Sequence, residues 1–121
     1  MNSQPIKDLI QIYFDANFEL DAKKLASVFH DEGRIIGHDD AGNLVNMDRI
    51  AFIAHMEEMA KVTPQTPRAD EIVAIDFTSE RTAVARVKVR LGDVIYTDAL
   101  NFIQIHGKWG VIAKIYAGSP V

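Results

Sequence analysis

The chain has 121 residues, 48% hydrophobic and 25% charged, the balance of an ordinary globular protein long enough to bury a real core. Its formal net charge of −4, from 13 basic and 17 acidic residues, argues against the basic footprint that phosphate backbones need, so nucleic acid is not expected as a partner. There is no cysteine, which excludes disulfides, thiolate metal sites and a cysteine nucleophile and fits a reducing, cytoplasmic compartment.

Lys7, Asp8, Asp15 and Glu19 break up the apolar residues near the N-terminus, so no secretory signal is read there. No apolar stretch approaches the roughly 18–20 residues of a membrane span, and no membrane association is expected. Ser3 suits an N-cap, and Pro5 is tolerated in a first helical turn because the amide it lacks would go unbonded there anyway. Ile6, Leu9, Ile10 and Tyr13 follow at i, i+3, i+4 and i+7, which predicts a helix to about Asn17. A second helix is expected after Asp21, presenting Leu25, Val28 and Phe29 and ending near His30.

Gly33–His38 reads as a short strand, and Asp39-Asp-Ala-Gly-Asn43 as a turn. Asn46 can cap a third helix over 47–61, with Ile50, Phe52, Ile53, Met56 and Met59 as its apolar face. Pro64 and Pro67 stop it. From Asp70 onward the pattern is sheet. Strands are expected at 71–77, 82–91, 94–105 and 109–117, with Gly92-Asp93 as a hairpin turn of the glycine-first type. Helices first and strands last predict a single α+β domain over 1–121: three N-terminal helices packed on a strongly curved antiparallel sheet, forming a cone with an internal cavity.

Two stretches carry a resemblance. Tyr13-Phe-Asp-Ala-Asn-Phe-Glu-Leu-Asp-Ala-Lys-Lys-Leu-Ala-Ser-Val-Phe-His30 is similar to the helix, acidic turn and helix that open a bacterial lumazine-binding branch of the nuclear transport factor 2-like superfamily. Asp98-Ala-Leu-Asn-Phe-Ile-Gln-Ile-His-Gly-Lys-Trp-Gly-Val-Ile-Ala-Lys114 resembles the closing hairpin of the same branch. The resemblance implies the cystatin-like cone, and relatives that include ketosteroid isomerases, polyketide cyclases, epoxide hydrolases, dehydratases and transport factors. Such a fold does not fix a function.

The isomerase relatives imply a particular site: a helix-borne tyrosine and an aspartate as oxyanion donors, plus an aspartate base on the first strand. Tyr13 falls at the tyrosine position and Asn101 near the donor aspartate. The base position falls on Gly37, which cannot abstract a proton. His38 beside it is the candidate substitute, histidine being the side chain type suited to general-base work, although a histidine next to an Asp-Asp-Ala-Gly turn is commonly exposed. Lys114 stands in an otherwise apolar strand and needs an anionic partner or a shifted pKa; Asp98 is the candidate partner. Trp109 is read first as packing and second as a ligand contact. Arg86, Lys88 and Arg90 form a basic stripe, read as a solvated or intersubunit face.

The closing hairpin leaves two registers open. A three-residue turn at 106–108 pairs Leu100 with Lys114 and Asp98 with Tyr116, whereas a two-residue turn shifts every partner by one and exchanges the faces. Either Asp98 or Asn101 should enter the cavity. The leading expectation is a small-molecule-binding protein with an apolar pocket, its ligand contacted by Tyr13, Asn101, Trp109 and Lys114. The rival is an isomerase, cyclase or dehydratase with His38 or Asp98 as general base, and the third reading is a protein-interaction module. No cofactor and no metal are expected, because His30, Asp31, His38, Asp39 and Asp40 lack ligand spacing and no phosphate-cradling or dinucleotide loop occurs. A homodimer through the outer sheet face is expected.

Overall fold

In the computed structural model, which describes residues 1–121, the chain opens with α1 (Gln4–Glu19), with Pro5 in its first turn as expected. Ile6, Ile10, Tyr13, Phe14 and Asn17 are its buried side, and Leu20 in a left-handed conformation ends it. The short α2 (Ala22–Ala26) is capped by the Asp21 side chain, which accepts the Lys24 amide at 3.0 Å.

The expected extension of α2 to His30 does not occur. Strand β1 runs Phe29–His38, beginning at Phe29 rather than Gly33. The cause is tertiary: the Val28 carbonyl accepts the Val111 amide at 2.9 Å, and the Phe29 ring lies 5.4 Å from that of Phe52. A second difference follows at once. Residues Leu44–Asp48 form a strand, β2, paired antiparallel to β1. The Asp39 carboxylate accepts the Ala41 and Asn43 amides at 3.0 and 2.8 Å, and this turn sends the chain back alongside β1. The cap of α3 (Arg49–Val62) is therefore Asp48, which accepts the Ala51 amide at 2.8 Å, not Asn46. Phe52 and Met56 are buried as expected, but Ile50 is 80% exposed and lies off the packed face.

Strands β3 (Asp70–Ser79), β4 (Thr82–Leu91), β5 (Val94–Ile105) and β6 (Lys108–Pro120) complete a six-stranded sheet in the order β2-β1-β6-β5-β4-β3. Only β1 and β6 are parallel. The architecture is the α+β cone the element order predicted, with α1 against β4 and β6 and α3 against β1 and β2. Ala83, Ala85, Val87, Val89 and Leu91 of β4 all face the core. No helix is long and apolar enough to cross a membrane.

The closing hairpin resolves its two registers in an unexpected way. Its turn is the two-residue form, with His106 and Gly107 both at positive φ (51° and 78°) and Ile105 opposite Lys108. Phe102 pairs with Val111, but Asn101 pairs with Ala113, so Ile112 is an extra, unpaired residue. This β-bulge shifts the remainder of β6 by one position. Leu100 then faces Lys114 and Asp98 faces Tyr116, the pairing a three-residue turn would have produced.

Candidate functional site

Side chains alternate faces along a strand, so the bulge decides what points inward. Beyond it, Lys114 and Tyr116 of β6 join Tyr96, Asp98 and Leu100 of β5 on the helix side of the sheet. Tyr13 comes down from α1, and Phe52, His55, Met56 and Met59 come from α3. Together they enclose a cavity of about 60 Å³ that is largely apolar, with Ile35, Met47, Val89 and Leu91 in its walls.

Three polar side chains are gathered inside it. The Tyr13 hydroxyl donates to Asp98 Oδ2, and Lys114 Nζ lies 3.8 Å from the same oxygen. Asp98 is fully buried, and its other oxygen, Oδ1, accepts no hydrogen bond from the protein. The Lys114 amine sits 5.2 Å from the Phe52 ring centroid and 5.3 Å from those of Tyr13 and Tyr116, within cation–π range of three rings. Burial pulls the Lys114 amine below the ordinary lysine range, and the Asp98 carboxylate only partly offsets that. Burial, and then the Asp98 charge, push the Tyr13 hydroxyl well above the ordinary tyrosine value. Asn17, one turn after Tyr13, donates to the Tyr13 carbonyl at 2.9 Å and also lines the cavity.

A larger, more polar hollow of about 490 Å³ adjoins it, lined by His38, Asp39, Asp40 and Asp93 among others. Met47, His55, Tyr96 and Tyr116 line both spaces. The inner cavity exceeds the roughly 10–15 Å³ that one water needs, yet is far smaller than the roughly 300–1,000 Å³ of pockets that enclose a drug-sized ligand.

The expected site residues divide accordingly. Tyr13, Asp98 and Lys114 are brought together. His38 is not: it is exposed at the end of β1, its ring Nδ1 2.9 Å from the Asp39 carbonyl oxygen, and it reaches only the outer hollow. Asn101 stands three residues from Asp98 on an unbroken strand, hence on the opposite face, where its amide lies 3.4 Å from the Ala113 carbonyl. The inward carboxyl partner of Tyr13 is therefore Asp98, not a group at position 101. Trp109 precedes the bulge and packs edge-on against Phe77 at 6.1 Å, away from the cavity. No cluster of three or more histidine or carboxylate side chains able to hold a metal ion is present.

A family profile described as "Putative lumazine-binding" matches residues 2–117. The chain belongs to that family. The matched span contains both stretches on which the resemblance rested and all the cavity residues. The chain is 26% identical over 114 residues to a protein named aldolase FrzH from Cladobotryum, covering 89% of this chain and 84% of that one. An NTF2-like protein of unknown function from Shewanella baltica superposes with a TM-score of 0.85 at 23% identity, covering 97% of this chain and 93% of the other. A ketosteroid isomerase-like protein from Erwinia carotovora atroseptica gives 0.75 at 16% identity, with 95% of each chain covered. At these identities the two structures establish the shared fold.

Residues that sequence reasoning missed include Asn17, Met47, His55, Tyr96 and Tyr116. Tyr116 alone had a signal, as the partner of Asp98 in one of the two registers. His55 and Met47 depend on how β2 and α3 fold over the mouth of the cone, which no local pattern announces.

Gly37 has a physical reason to be glycine. A Cβ there would lie 2.6–3.0 Å from ring atoms of Tyr116, closer than side chains tolerate. Any side chain at position 37, where the resemblance to isomerases implied a base, would meet this ring.

Proposed function

We propose that the protein binds a small organic molecule bearing a carbonyl or hydroxyl head group, with the head in the inner cavity and the rest in the outer hollow. The observation that carries this reading is the Tyr13–Asp98–Lys114 cluster inside an otherwise apolar cavity, with Asp98 Oδ1 lacking a donor. Buried acceptors are rarely left unpaired, and ion pairs buried in apolar surroundings seldom repay their desolvation. A ligand group that donates to Oδ1 or engages Lys114 supplies what the fold leaves incomplete. The names of two similar proteins, an aldolase and a ketosteroid isomerase-like protein, both refer to reactions of carbonyl compounds.

The test uses methionine-methyl NMR with acetone and cyclohexanone as probes. Met47, Met56 and Met59 line the cavity, whereas Met1 is 77% exposed and remote from it. The three cavity methyl signals are expected to move and saturate while that of Met1 stays. Movement of Met1 alone, or of none, would overturn the reading.

One observation favours a second reading, catalysis by a general base. Asp98 lies inside the cavity with a free oxygen, where it could take a proton from the carbon next to a carbonyl. His38 is outside and is not the base in this reading. The same samples in deuterated solvent would then show probe α-hydrogens exchanging faster with wild type than with Asp98→Asn, and equal rates would remove catalysis while leaving binding.

We further propose a homodimer through the convex face. Ile36, Ile95, Ala99, Ile103, Ala113 and Ile115 fall on the side of the pleat opposite the cavity, and Ile115 is 54% exposed. An apolar patch on this face suits twofold pairing, in which the same surface is used by both copies. Light scattering is expected to give twice the 13.5 kDa chain mass, and Ile115→Glu is expected to lower it toward one chain. A wild-type mass of one chain at micromolar concentration would rule the dimer out.

A further inference from the structure

We propose that Lys114 Nζ forms an imine with the carbonyl carbon of the ligand, which makes aldehydes and small ketones the ligand class of the inner cavity. This rests on the cavity-binding reading above and deepens it.

Lys114 is the single buried lysine of the chain. It makes no hydrogen bond: Asp98 Oδ2 is already engaged by Tyr13 and stands 3.8 Å away, and the other neighbours of the amine are three aromatic faces. An ammonium carries three donors, and leaving all of them without acceptors in an apolar site is costly. A neutral amine has no such requirement, and its lone pair is a nucleophile. The downward pKa shift caused by burial acts in the same direction. The side chain nevertheless keeps 10% of its surface open and lines the cavity, so a small carbonyl compound entering through the mouth meets the amine directly.

The neighbouring groups suit the proton traffic of the reaction. Asp98 takes one proton from the ammonium, and the amine lone pair then forms the N–C bond while the carbonyl π electrons move to oxygen. The new N–H proton passes to that oxygen, giving a carbinolamine. Asp98 returns its proton to the hydroxyl, the C–O bond breaks, and water leaves. The nitrogen lone pair completes the protonated C=N bond. The sum is ammonium plus carbonyl giving iminium plus water, with Asp98 regenerated as carboxylate. The Tyr13 hydroxyl, hydrogen-bonded to Asp98, holds that carboxylate in place through both transfers.

The test treats the wild-type protein with acetone and cyanoborohydride near neutral pH, followed by proteolysis and mass spectrometry of each lysine peptide. Hydride reduction of the iminium leaves an isopropyl group on the nitrogen. Lys114 is expected to be labelled on the order of tenfold faster than exposed Lys61, because burial lowers its pKa and Asp98 stands beside it to take the proton. Labelling of Lys114 no faster than Lys61, in a sample whose cavity methionine methyls shift with acetone, would overturn the imine and leave binding standing. Absence of both the label and the methyl shifts would overturn binding as well.

Discussion

Replacing Asp98 with alanine is expected to cost about 3–5 kcal/mol of folding stability, the range found when one partner of a buried ionic pair is removed. Asp98 is fully buried, and two groups depend on it. Lys114 loses its only counter-charge, and the Tyr13 hydroxyl loses its acceptor. Whichever group holds a proton, each is left polar and unpartnered in an apolar cavity. Converting the whole cluster should behave differently. The triple variant Tyr13→Phe, Asp98→Leu, Lys114→Met removes every group in need of a partner, and is expected to lie within about 1 kcal/mol of wild type or above it. Urea denaturation of wild type, single and triple variants measures both values. A triple variant less stable than Asp98→Ala would show that the cluster supports the fold rather than burdens it. The same triple variant should lose the acetone response of its cavity methyls, separating stability from binding.

The second large effect concerns Gly37. Gly37→Ala is expected to cost about 1–3 kcal/mol, as overpacking of a filled core does, because its new methyl would stand 2.6 Å from Tyr116 Cζ and 2.7 Å from Cε1. In a Tyr116→Ala background the ring is gone, and the same substitution should cost less than about 0.5 kcal/mol. A full double-mutant cycle reads the coupling, and additive costs would mean that the ring moves aside freely. The coupling bears on chemistry: a carboxylate cannot be installed at position 37 to imitate an isomerase unless Tyr116 is first removed.

Much of this architecture was legible in the residues. The spacing of Ile6, Ile10 and Tyr13, the alternation along Thr82–Leu91 and the glycine-first turn at Gly92 each settled an element, because local periodicity and backbone preference act there without opposition. The errors lie where tertiary contacts override local pattern. Val28 and Phe29 fit an amphipathic helix as well as they fit a strand, and pairing with Val111 decides for the strand. Leu44–Asp48 has no strong pattern of its own and becomes a strand because the Asp39 turn lays it against β1.

In the site, Tyr13, Asp98 and Lys114 were visible as chemically unusual residues and Asp98 as the candidate partner of Lys114, but the register that joins them was not. That register depends on a one-residue slip in β6, and the unpaired Ile112 leaves no mark in the hydrophobic alternation when its neighbours are Val111 and Ala113. Asp98 and Asn101 stayed open as alternatives because the alternation of β5 shows only that they face opposite sides, not which side is inward.

The bulge at Ile112 has a consequence for how such a cone can diversify. Were Ile112 paired opposite Asn101, the register fixed by the His106-Gly107 turn would continue, and Ala113 and Ile115 would turn inward in place of Lys114 and Tyr116. Both are apolar side chains that a core accepts. Deleting Ile112 would instead keep Ala113 opposite Asn101 and Lys114 opposite Leu100, so the strand would lose its bulge and retain its reactive interior. The chemistry of such an interior therefore turns on where β6 slips register as well as on which residues it carries.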